Sequence, residues 1–417
     1  MVTPDPDDTA DHDALNSVSG DNAGIIIQAG TINGDVTVND TARTRPGRRL
    51  EVFSHGRGRG LLLSHKVRAA ATRAGILATS STDRTHTLWE MSTGLRLHTF
   101  RSYSDPTRRY DRTRGMCLSA DGALFACEGL RRGSLAVYDT RSGTRLHHLG
   151  AVGEPTDTSM TDFVRNLPMA NYRAGYFGPN GELAASVEFG RWRVWRIADG
   201  AELWSAEEDN ITALVFSDDD TLVATASEWS TRTGEFLSDH SVLVHDASTG
   251  AMRFELILTP NDTPHMYTRT YLAFSPDSSL LAISGTSGVT VHDAMTGSLV
   301  ATVGKPGWPA FNDPVTFCGN DLLVLHANLG PRFWDLAAHK GRMHLLNFSD
   351  VHATSGDGAL VAAYDNRNKE VGVWSTADGH VVERVPAAHV SALHFTADDH
   401  LVICGRQNRA ELWQIRA

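Results

Sequence analysis

The chain has 417 residues, 41% of them hydrophobic and 21% charged, a balance that builds a globular core and does not suit a disordered polymer. No window holds the run of about 18 apolar residues that a membrane span needs, and the acidic start Met1–Asp13 has neither the basic nor the apolar stretch of a secretory leader. Of the net charge of −11, the eight aspartates of residues 1–40 carry −8 with no Lys or Arg beside them, leaving −3 for the rest and arguing against a nucleic-acid surface.

The tail comes first in chain order. Residues 24–39, Gly24-Ile-Ile-Ile-Gln-Ala-Gly30-Thr-Ile-Asn-Gly34-Asp-Val-Thr-Val-Asn39, are β-prone, nearly uncharged and punctuated by glycine. So short a stretch makes no core alone, but identical copies in register form a dry zipper of Ile side chains and Gln/Asn ladders. Its centre, Ile27-Gln-Ala-Gly30, resembles the bacterial amyloid signalling motifs related to the RIP homotypic interaction motif. The resemblance implies homotypic recruitment in signalling or defence, carried by Ile25, Ile27, Gln28, Gly30, Ile32 and Gly34. The alternative is a largely disordered tail, or a small β-arch resting on the domain that follows. Thr41–Gly47 reads as a linker, and Arg48–Phe53 as a lone strand.

From there the chain repeats. An aromatic residue or His closes a β-rich run at Trp89, Tyr138, Trp195, His245, His292, Trp334, Trp374 and Trp413, at intervals of 39 to 57 residues. Five residues after the first five markers and the seventh stands a glycine (Gly94, Gly143, Gly200, Gly250, Gly297, Gly379), with His339 in the sixth place. Upstream, apolar strands enter tight turns at Ser119–Gly122, Gly178–Gly181, Ser217–Asp220, Ser275–Ser278, Gly356–Gly358 and Thr396–Asp399. Pro pre-sets φ in such turns, while Gly, Asn and Asp tolerate positive φ. The unit is strand a, turn, strand b, loop, strand c, turn, strand d, which makes one propeller blade.

Phe274-Ser-Pro-Asp277, Ser81-Thr-Asp83 and Trp334-Asp335 resemble the signatures of the WD-repeat family, over residues 48–417. The resemblance implies an all-β closed propeller of four-stranded blades that acts as a protein-binding platform. Its repeats are degenerate here: Tyr138-Asp139, His245-Asp246 and His292-Asp293 keep the Asp alone. The family's His–Asp–Ser/Thr–Trp ladder is expected in blade 1, through His65, Asp83, Ser81 and Trp89. The last repeat, 390–416, lacks strand d, and Arg48–Phe53 is expected to supply it, which leaves no open sheet edge. The count is eight blades, with seven as the alternative.

Strand order puts the short a–b and c–d turns on one face and the long d–a and b–c connections on the other, where binding is expected. Three neighbouring connections there carry Arg57 and Arg59, then Arg108, Arg109 and Arg112, then Arg131 and Arg132. They suit an acidic or phosphorylated protein partner. The same loops hold Tyr110, Phe163, Trp229, Phe236, Trp308 and Phe311, the residue type that anchors interfaces. The bland alternatives are a solvated surface and loops that pack on themselves.

No nucleophile elbow, phosphate-binding loop or zinc-protease helix motif is present. The expectation is no catalytic residue, no metal and no cofactor, and hence no enzyme. Cys117, Cys127, Cys318 and Cys404 match no metal spacing and are expected as buried thiols in a reducing cytoplasm. Two rival readings stand: an enzyme with its site in the central channel, and a structural subunit of a larger complex.

Overall fold

The computed structural model describes residues 48–54, 67–82, 84–102, 115–130, 134–150, 174–188, 191–208, 211–227, 240–258, 270–285, 288–303, 315–325, 331–345, 348, 351–405 and 409–415. Among the described residues every regular element is a strand, and the strands form eight antiparallel sheets of four. Blade 1 consists of Val67–Arg73, Ile76–Ser81, Thr85–Glu90 and Arg96–Arg101, its strands a to d. Blade 2 consists of Met116–Leu118, Leu124–Glu128, Leu135–Asp139 and Arg145–Leu149, and blade 3 of Ala174–Phe177, Leu183–Glu188, Arg191–Arg196 and Glu202–Glu207. Blade 4 runs through Ile211–Phe216, Leu222–Ser227, His240–Asp246 and Met252–Leu258. Blade 5 runs through Tyr271–Phe274, Leu280–Gly285, Gly288–Asp293 and Leu299–Val303. Blade 6 has Val315–Cys318, Leu322–Leu325, Arg332–Asp335 and Lys340–His344; blade 7 has His352–Thr354, Leu360–Asp365, Glu370–Ser375 and Val381–Pro386. Blade 8 has Val390–Phe395, Leu401–Gly405 and Arg409–Gln414 as strands a to c, with Arg48–Ser54 paired antiparallel to strand c.

Each sheet buries both faces against its neighbours, so the core is a ring of joints. Eight apolar clusters each span two consecutive blades. One of them joins the last blade to the first, through Val67, Leu77 and Trp89 against Val402, Ala410 and Leu412. Burial on both faces explains why Leu222–Ser227 is buried along its whole length and reads as a nearly continuous small-apolar run instead of a strict alternation.

The pairing of Arg48–Ser54 repeats a detail found in the other blades. In blades 1 to 7 the c–d ladder slips by one residue at the marker: Leu88/Trp89, Val137/Tyr138, Val194/Trp195, Val244/His245, Val291/His292, Phe333/Trp334 and Val373/Trp374. The N-terminal strand slips against Trp413 in the same place, between Arg49 and Glu51. Such a bulge bends the strand and strengthens its twist.

The indole ladder differs from expectation. Trp89 donates its Nε1–H to Thr79 Oγ1 at 2.8 Å, not to Ser81. Register explains this, since Trp89 lies opposite Leu77 and its ring reaches the next residue on the same face, two positions along. Ser81 lies about 13 Å along the strand from Leu77, beyond reach. Trp195 makes the equivalent bond to Ser186 Oγ at 2.9 Å in blade 3. His65 and Asp83 lie outside the described residues.

Candidate functional site

The face made by the short turns is held together by its own side chains. In the a–b turns of blades 2, 4, 5 and 7, a Ser hydroxyl donates at 2.6 Å to the Asp two residues on: Ser119–Asp121, Ser217–Asp219, Ser275–Asp277 and Ser355–Asp357. The same hydroxyl accepts the N–H of Leu124, Leu222, Leu280 or Leu360 at 2.9 Å. These hydroxyl bonds, with backbone N–H donors beside them, hold the carboxyls of Asp121 and Asp357 below the usual carboxylate range. In the c–d turns Asp246 and Asp293 accept the backbone N–H of Thr249 and Thr296 at 2.9 and 2.8 Å. These aspartates are turn caps.

Neighbouring blades are also latched on this side. The ring N–H of His98, His147 or Trp204 on strand d donates to a c–d turn carbonyl of the next blade: Arg141 O at 3.1 Å, Ala198 O at 3.2 Å and Ala247 O at 2.8 Å. These rings, and Phe254 one blade later, lie on the repeated glycines. A Cβ on Gly143, Gly200, Gly250 or Gly297 would come within 2.5 to 2.8 Å of them. Arg342 makes the corresponding bond to Ala377 O at 2.8 Å in blade 6. The sequence reading missed these side chains. Their signal was a ring nine residues after each of the first four markers: His98, His147, Trp204 and Phe254.

The joint between blades 3 and 4 adds two buried titratable groups. Asp220, at φ +57°, reaches over the blade 3 turn, where the N–H groups of Asn180 and Glu182 donate to its carboxylate at 3.4 and 3.2 Å. Burial pushes its pKa up to about 6 against these hydrogen bonds. On the same joint His245 meets Trp192 and Trp204 with ring centroids 5.6 Å away in both cases, and burial lowers its pKa. At the inner strands, Thr72 Oγ1 and His394 Nε2 share a hydrogen bond of 3.0 Å between blades 1 and 8. Among the described residues no three His, Cys, Asp or Glu side chains gather as a metal site, and no helix is long and apolar enough to cross a membrane. All four cysteines are buried and unpaired with one another.

The loop residues expected to bind lie outside the described residues: Arg57, Arg59, Arg108, Arg109, Tyr110, Arg112, Arg131, Arg132, Phe163, Trp229, Phe236, Trp308 and Phe311. So does the whole motif 24–39. What is described is the frame. The connection between Ser54 and Val67 joins blade 8 to blade 1, and that between Ser102 and Gly115 joins blade 1 to blade 2.

No protein-family model and no curated protein matches the chain. Solved structures do. The C-terminal WD40 domain of Sif2 superposes with a TM-score of 0.58 at 13% identity, covering 84% of this chain and 97% of that one. The computationally designed Ika8 protein superposes with a TM-score of 0.55 at 17% identity, covering 85% of this chain and 97% of that one. At such identities the likeness shows the fold alone, an eight-bladed propeller related in shape to a WD40 domain.

Proposed function

We propose that the ring is a non-enzymatic interaction scaffold, and that it takes a protein partner on the face of its d–a and b–c connections. One asymmetry supports this reading. The described turns of the opposite face are short and satisfy their own hydrogen-bonding groups through Ser and Asp caps. On the other side six connections, residues 55–66, 102–115, 150–173, 228–239, 259–270 and 304–314, run to 11 residues or more and carry most of the arginines and aromatic residues expected to bind, while others, such as 189–190 and 286–287, have only two. A rigid frame with adaptable loops on one side suits recognition.

The test begins with a partner captured from the native host. Replacing Arg108, Arg109, Arg131 and Arg132 together with Ser should weaken an acidic or phosphorylated partner at least tenfold and flatten its salt dependence. Replacing Trp229 and Trp308 with Ala should do so for an apolar one. Binding that survives both sets, but is lost on changing Asp121 or Asp357, would move the site to the short-turn face.

The tail supplies a second, separate activity in this proposal, homotypic recruitment through residues 24–39. Arg48 pairs with Gln414, so the N-terminal strand begins at the short-turn end of blade 8. The isolated 24–39 peptide is expected to form fibrils with a strand spacing of about 4.8 Å. Proline at Ile27 should prevent them. A peptide that stays monomeric at high concentration and salt would remove this half of the proposal and leave the scaffold untouched.

A further inference from the structure

We propose that the rim of blades 1 and 2 is a docking surface for the chain's own acidic segment, residues 1–40. The outer strands of these blades carry Arg96, Arg101 and Arg145 and no acidic residue. The outer strand of blade 3 is the opposite, with Glu202 and Glu207 and no basic residue. Two arginines on neighbouring blades are paired, Arg253 with Asp246 at 2.8 Å and Arg196 with Asp199 at 2.8 Å. Arg96, Arg101 and Arg145 have no ion pair with any described residue. Between them Leu97 and Leu146 are 38% and 46% exposed, so the surface is basic and apolar at once.

Residues 1–40 match it in both respects. They contain eight aspartates, no Lys or Arg, and the run Ile25-Ile-Ile27. Guanidinium groups bind carboxylates in paired hydrogen bonds, and do so with more geometric selectivity than ammonium groups. The point of attachment is also right. In blade 8 the place of a c–d turn is taken by chain ends, because Arg48 pairs with Gln414 and not with a residue that continues from it. Blade 8 packs directly on blade 1. Fully extended, linker residues 41–47 span at most about 25 Å, which lets the preceding segment turn onto the rim of the adjoining blade 1.

The experiment uses the full chain, and its low lysine content makes the readout clean: only Lys66, Lys305, Lys340 and Lys369 are present. In the variants R101K and R145K, a carbodiimide joins a carboxylate to a lysine amine in direct contact, with loss of water. The expected product is an intramolecular amide between an aspartate of residues 1–40 and position 101 or 145, mapped by mass spectrometry. Its yield should not depend on protein concentration, and should fall at least threefold between 50 and 500 mM NaCl. Three results would overturn the proposal. One is linkage of the tail to Lys66 or Lys305 alone, one is linkage between chains alone in an isotope-mixed sample, and one is no tail linkage at positions 101 and 145.

Discussion

Asp220 is a single side chain that joins two blades. Its left-handed φ of +57° is one that Asp and Asn tolerate better than other side chains. Gly178 beneath it leaves no space for a Cβ, which would fall 2.2 Å from the carboxylate. Because burial raises its pKa from 3.8 to about 6, the folded chain holds this proton more tightly than the unfolded one. The resulting stabilisation is complete below pH 3.8 and is lost as the pH rises through about 6. Asp220→Asn keeps the size and has no charge to bury. Chemical denaturation should therefore show the variant gaining on the wild type between pH 5 and 8, by about 1.4 kcal/mol. A gap that stays flat across that range would mean the carboxylate is not the titrating group.

At the scale of the element, the c–d turn shows what a sequence pattern carries and what it hides. The glycines five residues after the markers were legible as a recurrence; their backbone reason is that Gly143, Gly200, Gly250 and Gly297 have φ of +70° to +74°. His339 fills the sixth place at φ +50°, so the turn survives without glycine where the backbone alone decides. The second reason was hidden, because the ring that covers each glycine belongs to the previous blade and a one-dimensional repeat does not show which faces meet. The same limit misassigned the partner of Trp89, where the choice between Thr79 and Ser81 depends on cross-strand register. Two substitutions separate the two reasons. Gly75 has φ +76° with nothing within 4 Å of its would-be Cβ, so Gly75→Ala should cost about 1 kcal/mol. Gly250→Ala must also displace Trp204, 2.6 Å away, and break its bond to Ala247 O, for about 3 kcal/mol in all. Equal denaturation midpoints for the two variants would mean that Trp204 does not hold the joint.

For the molecule as a whole, blade number and strand order were legible because every blade repeats one hydrophobic and turn grammar. The long connections follow no period, and most of their residues lie outside the described ones. The ring's integrity then rests on how the two chain ends meet. Trp413 is half-buried and bonds Glu411 Oε2 at 3.2 Å, whereas Trp89 is 3% exposed. Trp413→Ala should accordingly cost about 2 kcal/mol, short of the 3–5 kcal/mol of a fully buried tryptophan such as Trp89. Removing the whole N-terminal strand is a larger change. It leaves the Arg409–Gln414 strand with an unpaired edge, and a bare edge invites pairing with another chain. A chain beginning at residue 55 should melt several degrees below one beginning at residue 46, and should associate as its concentration rises. The joint between blades 8 and 1 is built from Val67, Trp89, Val402 and Leu412, all outside the deleted strand, so the shortened ring should still fold with native strand content by circular dichroism. Equal melting temperatures together with a monomeric shortened chain would show that the first and last blades hold each other without the N-terminal strand.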